Sequence, residues 1–315
     1  MYNAIKDDDF LSIKNLTVEY YSGKSVVHAV NGISLKIGKG RALGLVGETG
    51  AGKTTIAKSI LRILPDVGAR IKEGEILLDG DDLLKKKEAD MRKIRGNDIS
   101  MIFQDPMTAL NPVERIGDQI CEAVRLHSDM TKEECEERAK EMLKMVGITE
   151  DRYSEFPHQF SGGMKQRIVI AIALACNPKV LLADEPTTAL DVTIQAQVLE
   201  LIADLGEKYN TSMLLITHDL GVVAQTCDDV AIIYSGKIME YGTKEQIFHH
   251  PSHPYTLGLF GAIPDLVIQL MDFPLILLKR LLVARLHLDV NMPQRNVSRL
   301  ISTIIKQKMA MIVRV

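Results

Sequence analysis

The chain has 315 residues and a formal net charge of −3, with 38 Lys and Arg against 41 Asp and Glu. That length can bury one large core or two modest ones, and the balance lacks the bulk basic footprint of a nucleic-acid binder. At 46% hydrophobic residues the composition excludes a disordered chain. Residues 1–9 are polar and carry the run Asp7-Asp8-Asp9, unlike a signal peptide. The apolar run Leu275-Ile276-Leu277-Leu278 is cut by Lys279-Arg280, so no stretch is expected to span a membrane alone. Cys121, Cys135, Cys176 and Cys227 are far apart and form no CxxC pair. They read as reduced thiols of a cytoplasmic protein, not as a metal site or disulfide frame.

In chain order, residues 10–20 alternate apolar and polar side chains as a half-buried strand does, and 26–37 offer a second strand beyond a turn at Ser22-Gly23-Lys24. The pair predicts a small antiparallel sheet. Tyr20 and Tyr21 end the first strand, and an aromatic face there could stack on a purine. An apolar strand at 41–46 then leads into Gly47-Glu48-Thr49-Gly50-Ala51-Gly52-Lys53-Thr54, which opens a helix expected over 53–64. Strand, loop and helix in that order make a phosphate-binding loop. Its glycines let the backbone wrap around anionic oxygens, and successive N–H groups and the helix N-terminus supply positive potential. Lys53 would reach the β- and γ-phosphates and the Thr54 hydroxyl would hold Mg²⁺.

Short strands are expected at 75–78 and 99–103, with a charged surface helix over 81–93 between them. Gln104 stands at the end of the second, where an amide can hold a metal ion or a water. From 114 to 147 the periodicity is helical, and Thr131 with Glu134 forms a capping box. Ser161, before Gly162-Gly163, can cap a helix running through 176; two glycines at a capped helix start make a second anion site. Residues 180–185, Val-Leu-Leu-Ala-Asp-Glu, read as a buried strand ending in Asp184 and Glu185. Such apolar strands belong to parallel sheets, whose ligands sit at the carboxyl ends. Asp184 can help hold Mg²⁺ and Glu185 can polarise an attacking water. A helix at 192–208 and a strand at 213–217 follow, the latter ending at His218, which could hydrogen-bond a γ-phosphate.

Together these pieces resemble the nucleotide-binding subunit of ATP-binding-cassette (ABC) transporters over roughly residues 11–264. Gly47 to Thr54 looks like the family's Walker A loop, Gln104 its Q-loop glutamine, and Phe160-Ser161-Gly162-Gly163-Met164 its signature. Val180 to Glu185 resembles the Walker B strand, Ala189-Leu190-Asp191 the D-loop, and His218 the switch histidine. Met164 departs from the commonest form, Gln, and so lacks an amide that could hydrogen-bond nucleotide. The runs Phe103-Gln104-Asp105-Pro106-Met107-Thr108-Ala109-Leu110-Asn111-Pro112, Asp191-Val192-Thr193-Ile194-Gln195-Ala196-Gln197 and His253-Pro254-Tyr255-Thr256 narrow the resemblance to the oligopeptide, dipeptide and nickel importer branch.

The resemblance implies an α/β fold: a P-loop NTPase core with a mixed sheet, an N-terminal antiparallel β-subdomain, and a helical subdomain inserted at about 112–178 within an ATPase domain of residues 1–266. It implies ATP and Mg²⁺ as ligands, with Tyr20 under the adenine and Gly47, Glu48, Thr49, Gly50, Ala51, Gly52, Lys53, Thr54 and Thr55 around the phosphates. Thr54, Gln104 and Asp184 would hold the metal, and Glu185, His218 and Gln104 would serve hydrolysis. Ser161, Gly162, Gly163 and Asp191 would meet nucleotide bound to a second ABC ATPase, identical or paralogous. Two permeases and an extracytoplasmic binding protein complete such an importer at the cytoplasmic face of the membrane, with no nucleic-acid partner. Peptides are the expected cargo; nickel import, or a non-transport ABC ATPase acting on DNA or ribosomes, is the alternative. Residues 267–315 carry no cysteine and lack the branch's usual Cys-containing continuation. They are expected to be an atypical basic tail of poor order, as a frameshift would produce, with a basic amphipathic segment as the alternative.

Overall fold

How apolar residues repeat along each strand decides which of two sheets it joins. The structure, a computed structural model, describes residues 9–23, 25–187, 190 and 192–262. It divides into two compact units, one through Lys244 and one from Glu245 on. Ala189 and Asp191 of the expected D-loop, residues 263–264 and the expected tail at 267–315 lie outside the described residues.

The first sheet contains β1 (Asp9–Ser22), β2 (Ser25–Gly38), β4 (Ala69–Leu78) and β5 (Asp81–Asp82) in the order β2-β1-β4-β5, every pair antiparallel. Leu11, Ile13, Leu16 and Val18 of β1 enter the core with Ile33, Leu35 and Ile37 of β2. Thus the N-terminal antiparallel sheet is present as the alternation predicts. β4 starts six residues before the expected 75, because its half-exposed first part pairs with Tyr20, Glu19 and Val18 of β1.

The second sheet contains β3 (Ala42–Val46), β6 (Ile99–Ile102), β7 (Val180–Asp184), β8 (Ser212–Thr217), β9 (Asp229–Tyr234) and β10 (Lys237–Thr243) in the order β10-β9-β3-β8-β7-β6. All neighbours run parallel except β10 on β9. Every residue of β6, β7 and β8 is buried, the mark of a parallel sheet covered on both faces. Register aligns the strands' carboxyl ends: Val46 opposes Thr217, Ile216 opposes Asp184, and Ala183 opposes Ile102. That edge is where ligands of such sheets bind. The strands β9 and β10 had no counterpart in the sequence reading.

Helix α1 (Lys53–Ile60) buries Ile56, Ala57 and Ile60. It stops short of the expected 64 because Arg62 turns to φ +52 and its guanidinium donates to the carbonyls of Leu83 and Lys86. The expected surface helix over 81–93 is corrected: β5 comes first, then wholly buried Leu83, then α2 (Glu88–Ile94). Leu83 and Met91 join the core cluster, and their burial breaks the segment into strand and helix.

Between β6 and β7 lie the single turn α3 (Pro106–Ala109), α4 (Ile116–Arg125), α5 (Lys132–Met145), 3-10 turns at Glu150–Ser154 and Pro157–Gln159, and α6 (Gly162–Leu174). Thr131 and Glu134 make the expected capping box on α5. Helix α6 ends two residues before the expected 176. Then come α7 (Val192–Tyr209) and α8 (Leu220–Thr226). In the second unit α9 (Lys244–His249) and α10 (Pro254–Gly261) bring Phe248 and Phe260 into a parallel stack 5.3 Å between centroids.

Candidate nucleotide site

The loop between β3 and α1 is shaped by what it passes. Gly52 caps α1 at φ +101, and a Cβ there would lie 2.4 Å from the Ala29 carbonyl oxygen of β2. A Cβ on Gly47 would lie 2.3 Å from the Ile233 carbonyl oxygen of β9. Only residues without a side chain fit both places. The Ala51 carbonyl accepts from Gly236 N at 3.0 Å, so the turn between β9 and β10 also supports the loop. Ala29, Ile233 and Gly236 are supports that motif reading passed over; their role is backbone proximity, which leaves no residue-type signal.

Lys53 is 5% exposed, and its Nζ donates to the carbonyls of Gly47 at 2.7 Å and Glu48 at 3.0 Å. The side chain thus folds back along the loop, holding its charge under the exposed tip at Glu48, Thr49 and Gly50. Burial lowers the Lys53 ammonium's pKa, while Glu185 and Asp184 partly restore it. Thr54 Oγ1 donates to Asp184 Oδ1 at 3.1 Å. Asp184 is 2% exposed, and burial holds its carboxyl above the ordinary range despite that bond.

Glu185 is where the separate strand ends meet. Its backbone stands at φ +46, tied to β8 by a bond from its N–H to the Ile216 carbonyl at 2.8 Å. Strained backbone of that kind gathers at functional sites. Gln104 Nε2 donates to Glu185 Oε2 at 3.2 Å. On the other side Glu185 Oε1 stands 3.8 Å from Lys53 Nζ and 3.5 Å from His218 Nδ1. Loop, β6, β7 and β8 therefore deliver Lys53, Thr54, Gln104, Asp184, Glu185 and His218 to one place. The cluster presents a cation, two carboxylates, hydroxyl and amide oxygens, and exposed backbone donors. That set suits a phosphate chain, a divalent cation and a water.

Tyr20 is half-buried, with its hydroxyl 3.3 Å from Thr55 Oγ1 at the start of α1. Tyr21 points to the opposite face and donates to Glu19 Oε2 at 2.5 Å. The geometry separates the two tyrosines and puts Tyr20 beside the loop. Ser161 caps α6, its Oγ accepting from Met164 N at 3.4 Å. Ser161 and Gly162 are exposed, and among the described residues they share no hydrogen bond with Gly47–Thr55. Gly163 packs tightly against α7: a Cβ would lie 2.7 Å from Ile194 Cγ2. So the expected capped, glycine-containing helix start is present at Ser161, Gly162 and Gly163.

Residues 30–188 match the model of the ABC transporter family, and residues 239–277 that of the oligopeptide/dipeptide transporter C-terminal region. The chain is 52% identical over 258 residues to the dipeptide transport ATP-binding protein DppD of Bacillus subtilis (strain 168), covering 81% of this chain and 77% of that protein. Against the oligopeptide transport ATP-binding protein OppD of the same organism identity is 50%, covering 81% and 72%. Among solved structures it resembles a dimeric ATP-binding cassette in a post-hydrolysis state bound to ADP and Pi. The TM-score is 0.67 with 28% identity, covering 74% of this chain and 98% of that one. The chain belongs to the ABC transporter family and is an ATP-hydrolysing member. No helix among the described residues is long and apolar enough to cross a membrane.

Proposed function

We propose that this chain energises the import of dipeptides or oligopeptides, working at the cytoplasmic face of the membrane beneath two permeases that an extracytoplasmic binding protein supplies. The matches to peptide-transport ATPases and to the peptide-transporter C-terminal region favour peptides over nickel, and favour transport over action on DNA or ribosomes. The observation that carries the chemistry is the convergence on Glu185 of groups from three parts of the chain.

ATP would lie with its adenine on Tyr20 and its phosphates in the loop from Gly47 to Thr55. Lys53 would turn from the loop carbonyls to the β- and γ-oxygens. Asp184, Thr54 and Gln104 offer hard oxygen donors, and the buried, charge-disfavoured Asp184 gains from a nearby cation, so the cluster fits Mg²⁺. That ion would neutralise charge on the phosphates as the bond breaks. Glu185 orients the attacking water and accepts its proton, while His218 donates to the γ-phosphate. Ser161, Gly162, Gly163 and the D-loop's Asp191 complete the opposite site on a partner cassette, identical or paralogous. Each site would then need both subunits. Closure around two ATPs and release after hydrolysis would then move the permeases through the Gln104 segment and the helical subdomain.

The test is purification of the tagged chain from detergent-solubilised membranes with ATP and Mg²⁺. Two permeases should accompany it, and the reconstituted complex should take up labelled peptides in an ATP-dependent way. Uptake of Ni²⁺ instead, or recovery without permeases, overturns the peptide-importer reading. Glu185→Gln should keep ATP binding and lose about 100-fold or more in hydrolysis.

A further inference from the structure

Ser161 and Gly162 stand exposed at the start of α6, yet an anion site works only if its donors are held in position. The residue that grips this start from both sides lies outside every motif. Arg152, in the 3-10 turn Glu150–Ser154, places its guanidinium carbon 4.1 Å from the centroid of the Phe160 ring. Its Nη2 donates to the Gln159 carbonyl at 3.2 Å, and its Nη1 lies 3.5 Å from Met164 Sδ. Thus Arg152 touches Gln159 and Phe160 just before the cap and Met164 just after it.

Arg152 is itself anchored. Its Nε and Nη2 donate to Glu155 Oε2 at 2.9 and 2.6 Å, and the Glu155 carbonyl accepts from Ile116 N at 2.9 Å. The neighbouring Tyr153 hydroxyl donates to Asp118 Oδ1 at 3.3 Å, and its ring packs where a Cβ on Gly117 would stand 2.2 Å away. The turn is therefore fixed to the first residues of α4, and Arg152 carries that fixation to α6. A planar guanidinium can stack on a ring and donate in its own plane at the same time, which an ammonium cannot.

We propose that Arg152 is a positioning residue for hydrolysis: it sets how Ser161 and Gly163 are presented to ATP held by the partner cassette. The thioether of Met164, where the common family signature has an amide, is the face it bears on. This rests on the two-subunit site proposed above. Among the described residues Arg152 shares no hydrogen bond or ion pair with those that cluster around Glu185, so its loss affects the partner's nucleotide and spares ATP binding by its own chain.

The experiment uses the complex purified through a tag on this chain, compared with Arg152→Ala, Arg152→Lys and Phe160→Leu. The readouts are kcat and KM for ATP, the Kd of the isolated full chain for a fluorescent ATP analogue, and its Tm. Arg152→Ala should lower kcat about tenfold with KM and Kd within about twofold of wild type. Arg152→Lys should recover little of that loss, and Phe160→Leu, which keeps apolar packing but removes the stacked ring, should lose about threefold. Retention of kcat within twofold by Arg152→Ala overturns the inference. So does a rise in Kd matching the fall in kcat, or a kcat loss that only follows a collapse in Tm, since either marks a general structural role. ATPase activity of this chain alone as a monomer, equal to that of the complex, would instead sink the two-subunit reading.

Discussion

The Thr54 hydroxyl donates to Asp184 Oδ1 at 3.1 Å, joining the first turn of α1 to the end of β7 across 130 residues of chain. The bond arises because β3 and β7 flank β8 in parallel, with Val46 opposite Thr217 and Asp184 opposite Ile216. It also sets the Asp184 carboxyl in buried surroundings. Burial pushes the Asp184 carboxyl up, so the folded chain binds that proton more tightly than the unfolded chain does.

Stability from that proton is present below the unfolded carboxylate value of about 3.9 and fades as pH rises through the higher folded value. Above it, an ionised Asp184 burdens the fold. Asp184→Asn should therefore raise the Tm of the nucleotide-free protein at pH 8, and raise it less near pH 4. The same variant should lose ATP hydrolysis. A gain in Tm that does not grow with pH, followed by scanning calorimetry, contradicts the electrostatic origin.

Tyr20 faces the phosphate loop, whereas Tyr21 bonds Glu19 on the other face. Stacking of a base on an aromatic ring contributes about 1–3 kcal/mol. Tyr20→Ala should then weaken ATP binding about 5- to 150-fold, while Tyr20→Phe, which loses only the contact with Thr55, should stay within about threefold. Tyr21→Ala should leave affinity unchanged. Titration with a fluorescent nucleotide measures all three; equal effects at both positions would remove Tyr20 from the base site.

Gly52 combines φ +101 with a Cβ position 2.4 Å from the Ala29 carbonyl oxygen. Gly52→Ala should cost about 2 kcal/mol or more, lowering Tm by roughly 4–8 °C, and should abolish ATP binding by displacing the loop from β2. Gly50, also at positive φ but with open space where its Cβ would stand, should tolerate alanine with a smaller loss. Thermal melts of the pair separate crowding from backbone strain.

His218 has a side chain 66% exposed and stands 3.5 Å from Glu185 Oε1. An exposed group so placed matters little to folding, so His218→Ala should move stability by less than about 0.5 kcal/mol. Hydrolysis should fall about 10- to 100-fold as a donor to the γ-phosphate is lost. Steady-state ATPase rates alongside urea melts test this, and an unchanged kcat removes His218 from the chemistry.

The motif residues were legible because chemistry constrains their type and local spacing. Gly47, Gly52 and Lys53 lie in one loop, and the apolar run ending in Asp184-Glu185 announces a buried strand with carboxylates at its open end. The capping box at Thr131 and the Ser161 cap were readable for the same reason: each bond spans three residues. Strand β9, a buried apolar run from Val230 to Ile233, escaped because no motif follows it, and β10 because its pattern is mixed, although the turn between them holds the phosphate loop through Gly236. Leu83 and Met91 were misread as parts of a surface helix because charged neighbours outnumber them; only packing revealed that both are wholly buried.

By itself the sequence determined a nucleotide-binding α/β protein, since side-chain chemistry and short-range backbone geometry specify a phosphate loop and a carboxylate-ended strand, and the resemblance of its motifs to ABC cassettes added the class of the molecule. Tertiary structure alone decided that Gln104, Lys53 and His218 converge on Glu185, that the Tyr20 hydroxyl meets Thr55 while Tyr21 bonds Glu19, and that Arg152 grips the start of α6. Those relationships depend on parallel register, on which face of a strand a side chain occupies, and on contacts between segments far apart in the chain. None of them leaves a trace in residue type at a single position, because a side chain's partner is chosen by the fold that brings the two together.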